Sequence, residues 1–292
     1  MKETTPRAPR APRRRWSWND PATRALIYQI LILGLVALGV WYLASNTLHN
    51  LAARNISTGF DFLHEEAGFA IGESMVDYSP ADTYGHAVVV GLLNTLKVSV
   101  IGVIAATLFG TLLGISRLSK NWLISRLAGL YIEVMRNIPL LLQLFLIFFG
   151  APVLGLDINP WVAAGVALVL NSAAFLAEIW RGCIEAVPRG QWEAAQALNL
   201  KYVARMRFVV LPQAFKIALP PTVGYMVQII KGTSLAAIIG FTEITRAGQI
   251  INNATFQPLH VFTTVAALYF LICWPLSLLA ARMERKRARA LA

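Results

Sequence analysis

Lys231 is the residue best placed to do chemistry in an otherwise apolar setting. It is the only charge in the run 218–239, and Gly232-Thr233-Ser234 follows it at once. An ionisable group at membrane depth is costly and is a functional candidate by default. A Gly-Thr-Ser break beside it interrupts a helix and exposes backbone dipoles to a polar solute, so Thr233 and Ser234 join it as pathway candidates. Two readings of Lys231 follow: it faces a solute pathway and meets a carboxylate, or it pairs with a neighbouring acid such as Glu178 or Glu243. Asn171 and Ser172 stand within a second apolar run, 161–176. Small polar residues there serve helix–helix contacts at least as often as ligands. Lys97 lies near enough to the outer end of the run 87–115 to extend its amine to the interface. Glu133 and Arg136 read as a structural or gating pair.

Other chemistry is missing from the pattern. His49, His64, His86 and His260 form no H-E-x-x-H pair, and neither a G-x-S-x-G turn nor a G-x-x-x-x-G-K-[ST] phosphate loop occurs. His64-Glu65-Glu66 reads as a solvated loop, and Cys183 and Cys273 suggest neither a disulfide nor a zinc site. No catalytic residue, metal or cofactor is expected. If the protein works against a gradient with ATP, a different chain hydrolyses it.

The elements that must position these residues follow from charge. Of the 292 residues 57% are apolar and 14% charged, with a net charge of +11. Nine charges lie in residues 1–24 and six in 282–292. The remainder is far below the ~25% of a soluble domain, which argues against a soluble enzyme. The basic excess raises nucleic acid as a partner, but it sits on arms outside the apolar body. The positive-inside pattern of a membrane protein is the better account, with the lipid bilayer as the surrounding partner.

Six runs are apolar enough to span as helices, at 25–45, 87–115, 139–156, 161–176, 218–239 and 261–281. This predicts an all-α, polytopic membrane protein. In a six-span topology 22 of the 26 basic residues fall on one side, while the opposite loop 46–86 carries Asp61, Glu65, Glu66, Glu73, Asp77 and Asp82. Both termini are therefore expected in the cytoplasm, and nucleic acid drops out. Arg13-Arg14-Arg15 before the first run reads as part of a retained anchor, because the run outlasts a cleavable signal. The expected organisation is a basic arm (1–24), an anchor with an outer loop (25–87), a transmembrane domain (88–281) and a basic tail (282–292).

The loop 181–216 is the longest on the basic side. Pro188-Arg189-Gly190 breaks the chain, and Gln191 begins a short helix with Trp192, Ala195 and Leu198 along one face. A second set of turns at 201–210 is expected to stop at Pro212. The apolar face of the short helix either packs on its own bundle or docks into a groove on a soluble partner.

Glu193-Ala194-Ala195, then Leu198, then Val209-Val210-Leu211-Pro212-Gln213-Ala214, resembles the cytoplasmic EAA motif of permease subunits of ATP-binding-cassette importers. Residues 131–143, 171–182 (Asn-Ser-Ala-Ala-Phe-Leu-Ala-Glu-Ile-Trp-Arg-Gly), Lys231-Gly-Thr-Ser-Leu235 and Asn94-Thr95-Leu96 resemble the polar amino acid permeases of that class. The resemblance covers roughly 88–285. It implies a type I importer fold in which Glu193, Ala194, Ala195, Ala197, Leu198 and Asn199 form a coupling helix seated on a cytoplasmic ATPase dimer. It also implies a second permease subunit, identical or not, and a periplasmic amino-acid-binding protein, in a bacterial inner membrane. Asn199 stands where the family usually has Gly, and Asn is the non-Gly residue best able to hold φ > 0 there. Rival readings are an ion-coupled carrier or channel, for which no span has an acid near its centre, a scaffold, and a permease for another small solute such as an osmolyte.

Overall fold

A computed structural model describes residues 21–53 and 59–291, which fall into two compact units at that break. The arginines of the basic arm between residues 7 and 15 lie outside the described residues.

The first unit is one helix, α1 (Pro21–Ala53). Its stretch Thr23–Asn50 has a mean hydropathy of 2.1, and none of it is buried within the protein. A helix apolar all round, about 50 Å long at ~1.5 Å per residue, has lipid as its natural solvent.

The second unit opens with a folded loop, 59–83, and continues as α2 (Tyr84–Arg117), α3 (Trp122–Asn137), α4 (Leu140–Val153), α5 (Pro160–Glu185), α6 (Arg189–Ala197), α7 (Tyr202–Arg205), α8 (Leu211–Gly232), α9 (Ile244–Thr255) and α10 (Pro258–Leu291). Caps set several starts. The Thr83 hydroxyl accepts from His86 N–H at 3.2 Å, and the Asn121 side chain accepts from Leu123 and Ile124 N–H. The centre of the unit is α2 against α5. A Cβ on Gly110 would lie 2.8 Å from the Ala173 carbonyl, and one on Gly114 would lie 2.7 Å from that of Ala177. Opposite them α5 buries Ala167, Ala173, Ala174 and Ala177. Small residues bring the two backbones into contact, as membrane helices require where no hydrophobic force drives association.

Among the described residues five helices are long and apolar enough to span, and α3 with α4 makes a sixth if that pair is counted as one. The expected third span, 139–156, is corrected here. Its helix α4 has 14 residues, about 21 Å at ~1.5 Å per residue, too short to cross alone. It joins α3 at a bend of 102°. The cause is Pro139: the residue before it, Ile138, is held extended at φ −100°, ψ 126°, and the helix cannot run through.

Pro212 also departs from expectation. It does not stop the helix before it but sits at the start of α8. The preceding five residues, Met206–Val210, form a π-helical turn, with Leu211 N–H bonding to the Met206 carbonyl. The wider turn accommodates a proline ring that lacks an N–H, so the chain runs on from α7 into α8.

Candidate functional site

α6 is a nine-residue helix fixed beneath the bundle. Ala195 is 2% exposed, and Trp192 packs against a cluster of Ile184, Val187, Met206, Val210 and Ala214. The Gln213 amide, on α8, donates to the Gln191 side chain at 3.1 Å and to the Val209 carbonyl at 2.8 Å. One edge of α6 is therefore rigidly tied to its own bundle. Glu193, Ala194, Ala197, Leu198 and Asn199 are exposed, Leu198 at 75%. The apolar face read from the sequence divides: Trp192 and Ala195 turn inward, and Leu198 does not.

The end of α6 carries a complete stop. Asn199 has φ 54°, Leu200 N–H bonds to the Ala195 carbonyl at 3.1 Å, and Asn199 N–H bonds to Gln196 at 2.9 Å. This is a Schellman motif with asparagine in the left-handed position. The turn expected of glycine is made by Asn199, whose short polar side chain tolerates that conformation.

On the same side of the bundle α2, α3 and α5 surround a cavity of about 400 Å³ lined by Arg117, Glu133, Arg136, Glu178, Arg181 and Glu185. Arg181 bonds Glu178 and Glu185, each at 2.8 Å, and Arg117 lies 3.6 Å from Glu133. Glu133 thus pairs with Arg117, while Arg136 lies over the Phe175 ring, 5.5 Å from its centre.

The pathway candidates separate. The break expected after Lys231 is corrected: α8 tightens at Gly232 into a 3-10 segment, Thr233–Ile239, with helical dihedrals at both Gly232 and Thr233, and the chain leaves the helix only at Gly240, φ 88°. Lys231 is exposed and lies beside an indentation of about 230 Å³ lined by Tyr269, Phe270, Cys273, Trp274 and Ser277. Neither suggested acid pairs with it: Glu178 is held by Arg181, and Glu243 caps α9 through Thr245 and Arg246 N–H and accepts from the Tyr269 hydroxyl. Thr233 is fully buried and donates to the Ile230 carbonyl, and Ser234 donates to Lys231. Asn171 and Ser172 are buried, and the Asn171 amide reaches the Met135 carbonyl on α3 at 3.4 Å. Lys97 lies 4.5 Å above the Trp161 ring at the start of α5.

Two buried residues have structural roles that the sequence reading did not assign. Gln143 donates to Met135 and Ile138 carbonyls and so fills the bend between α3 and α4. Glu243, 0% exposed, anchors α9; burial raises its carboxyl above the usual range, against the lowering by its Thr245 and Arg246 amide partners. Glutamate is not among the residues that usually cap a helix, and its burial is not visible locally.

Long apolar helices with a short helix fixed at one end define a polytopic membrane protein. Residues 100–289 match the binding-protein-dependent transport system inner membrane component family. The chain belongs to that family. It is 31% identical to the general L-amino acid transport system permease protein AapQ of Rhizobium johnstonii, over 87% of this chain and 90% of that one. It is 37% identical to the glutamine transport system permease protein GlnP of Escherichia coli, over 67% of this chain and 90% of that one. A crystal structure of an amino acid ABC transporter with histidines superposes with a TM-score of 0.65 at 35% identity, covering 70% of this chain and 95% of that one.

Proposed function

We propose that the chain is the membrane-spanning subunit of an ATP-driven amino acid importer, and that α6 couples it to a separate ATPase. The observation that carries this reading is the division of α6. Trp192 and Ala195 bind it to the bundle, while Glu193, Ala194, Ala197, Leu198 and Asn199 face away. A lever needs that arrangement: one side joined to the helices it moves, the other free to seat in a partner's cleft. The ATPase dimer closes on ATP, α6 moves with it, and α8, which follows α6 through the π turn, transmits the tilt.

The α6 end is the cytoplasmic end in this reading, as are both termini, in accord with the basic side of the sequence. The amino acid class follows from the names of the relatives and from the Lys231 ammonium, which offers a carboxylate a partner. An exposed lysine well inside a span is poorly placed toward hydrocarbon. A second permease subunit, a copy of this one or a relative, encloses that face together with Phe270 and Trp274, and a periplasmic binding protein delivers solute at the α9 end. Asn171 and Thr233 shape the wall from behind.

The experiment is Glu193→Lys in the reconstituted system. The variant is expected to reach the membrane and to lose solute-linked ATPase stimulation and uptake together. Unchanged uptake overturns the coupling role of α6.

A further inference from the structure

At the α9 end, residues 59–83 fold back over the bundle as a strap. Main-chain bonds close its neck: Ala67 N–H to Asp82 at 2.7 Å, Gly68 N–H to Pro80 at 2.8 Å and Tyr84 N–H to Glu65 at 2.9 Å. Its tip comes down beside α2, about three turns past the start of that helix. There Asn94, 1% exposed, donates its side-chain amide to two main-chain carbonyls, Glu73 at 2.7 Å and Thr242 at 2.9 Å. These partners are 21 and 148 residues away. Thr242 belongs to the turn that leads from the 3-10 end of the α8 span into α9.

The same face of α2 holds that turn at two more points. The Thr95 hydroxyl accepts from Ile244 N–H at 3.1 Å. A Cβ on Gly91 would lie 3.1 Å from both Ile244 Cα and Ala247 Cβ, so its absence is what lets α9 pack so closely. Gly91 and Thr95 seat α9, and Asn94 alone of the three also carries the strap.

We propose that Asn94 is the positioning residue of an outer latch, joining strap and α9 turn to α2 so that this end of the pathway opens only when both bonds release. The proposal rests on the importer reading above. The physical basis is that a buried amide with two acceptors couples them: when either carbonyl leaves, the amide is left short of a partner where water does not reach. Because the α9 turn continues directly from the 3-10 end of the α8 span, movement of α8 past α2 pulls on Thr242. The latch therefore resists opening until the ATPase drives it.

The test uses the permease assembled with its ATPase subunits in nanodiscs. Asn94→Ala removes both bonds, and Asp77→Asn, at an exposed strap position, serves as the control. In Asn94→Ala, deuterium uptake of peptides covering residues 68–80 is expected to quicken roughly tenfold, and ATP hydrolysis without binding protein to rise severalfold. The control is expected to leave both near wild type. Unchanged exchange overturns the latch, and so does faster exchange with unchanged hydrolysis, because a merely structural tie would not restrain the ATPase. If Asn94→Ala does not assemble, replacing residues 70–77 by a Gly-Gly link removes the tip and with it the Glu73 carbonyl, while Asn94 keeps Thr242. Hydrolysis is expected to rise there too, and no rise overturns the proposal. A wild-type complex that imports no amino acid sinks the importer reading instead, so the two failures are distinguishable.

Discussion

Replacing Asn199 with valine probes whether the stop at the end of α6 sets the coupling geometry. Asn199 sits at φ 54°, and its N–H and that of Leu200 close the Schellman bonds onto Gln196 and Ala195. A β-branched residue in the left-handed region loses about 1–2 kcal/mol relative to its preferred conformation, a cost that asparagine softens and glycine does not carry. The exposed position offers valine no packing gain to offset this. The strain therefore shifts the turn toward other conformations by a factor of roughly 5 to 30. Ala195, whose carbonyl accepts the Leu200 bond, is the buried anchor of the helix. Loss of the stop thus loosens α6 where it is held. The assay is the affinity of the solubilised permease for its ATPase subunit, read beside ATP-driven uptake in proteoliposomes. Asn199→Val is expected to weaken affinity about tenfold, with Asn199→Gly equal to wild type or slightly tighter. Wild-type affinity in Asn199→Val refutes the argument that this turn presents α6.

Gly114→Val inserts a side chain where a Cβ already lies 2.7 Å from the Ala177 carbonyl. It is expected to part α2 from α5 at a cost of about 1–3 kcal/mol or more, seen as a lower melting temperature in detergent. Lys231→Ala is expected to reduce uptake several-fold while the complex still assembles; a normal uptake rate reduces Lys231 to a structural role. Cysteines placed at the exposed positions 70 and 190 are expected to react with an impermeant reagent from opposite faces of oriented vesicles, and labelling of both from one side overturns the topology.

The elements were legible where the cause is local. A run of about twenty apolar residues makes a helix whatever surrounds it, and α1, α2, α5 and α10 lie where hydropathy places them. The turn at Asn199 is written in the side chain itself, whereas Gly232-Thr233-Ser234 only tightens the helix instead of breaking it. The third span was misplaced because a hydropathy run says how apolar a stretch is and not whether it is straight; Pro139 bends it. Pro212 misled for a related reason, since a π turn five residues long absorbs what a regular helix cannot.

What one side chain does across the fold lay beyond the sequence. Trp192, Ala195 and Leu198 share a spacing, yet two face the bundle and one faces away, because the end of α5 and the π turn, through Ile184, Val187, Met206 and Val210, cover only one edge of α6. Glu178 and Glu243 were equal candidates to hold Lys231 until Arg181 and the start of α9 were seen to occupy them. By itself the sequence determined the membrane setting, the number of apolar runs, the basic side and the short helix, since each follows from composition within one or two turns. Only the tertiary structure decided which polar groups meet, as at Asn94, whose two carbonyl partners lie 21 and 148 residues away. Hydrogen bonds at that separation depend on how the helices pack, and no local spacing encodes them.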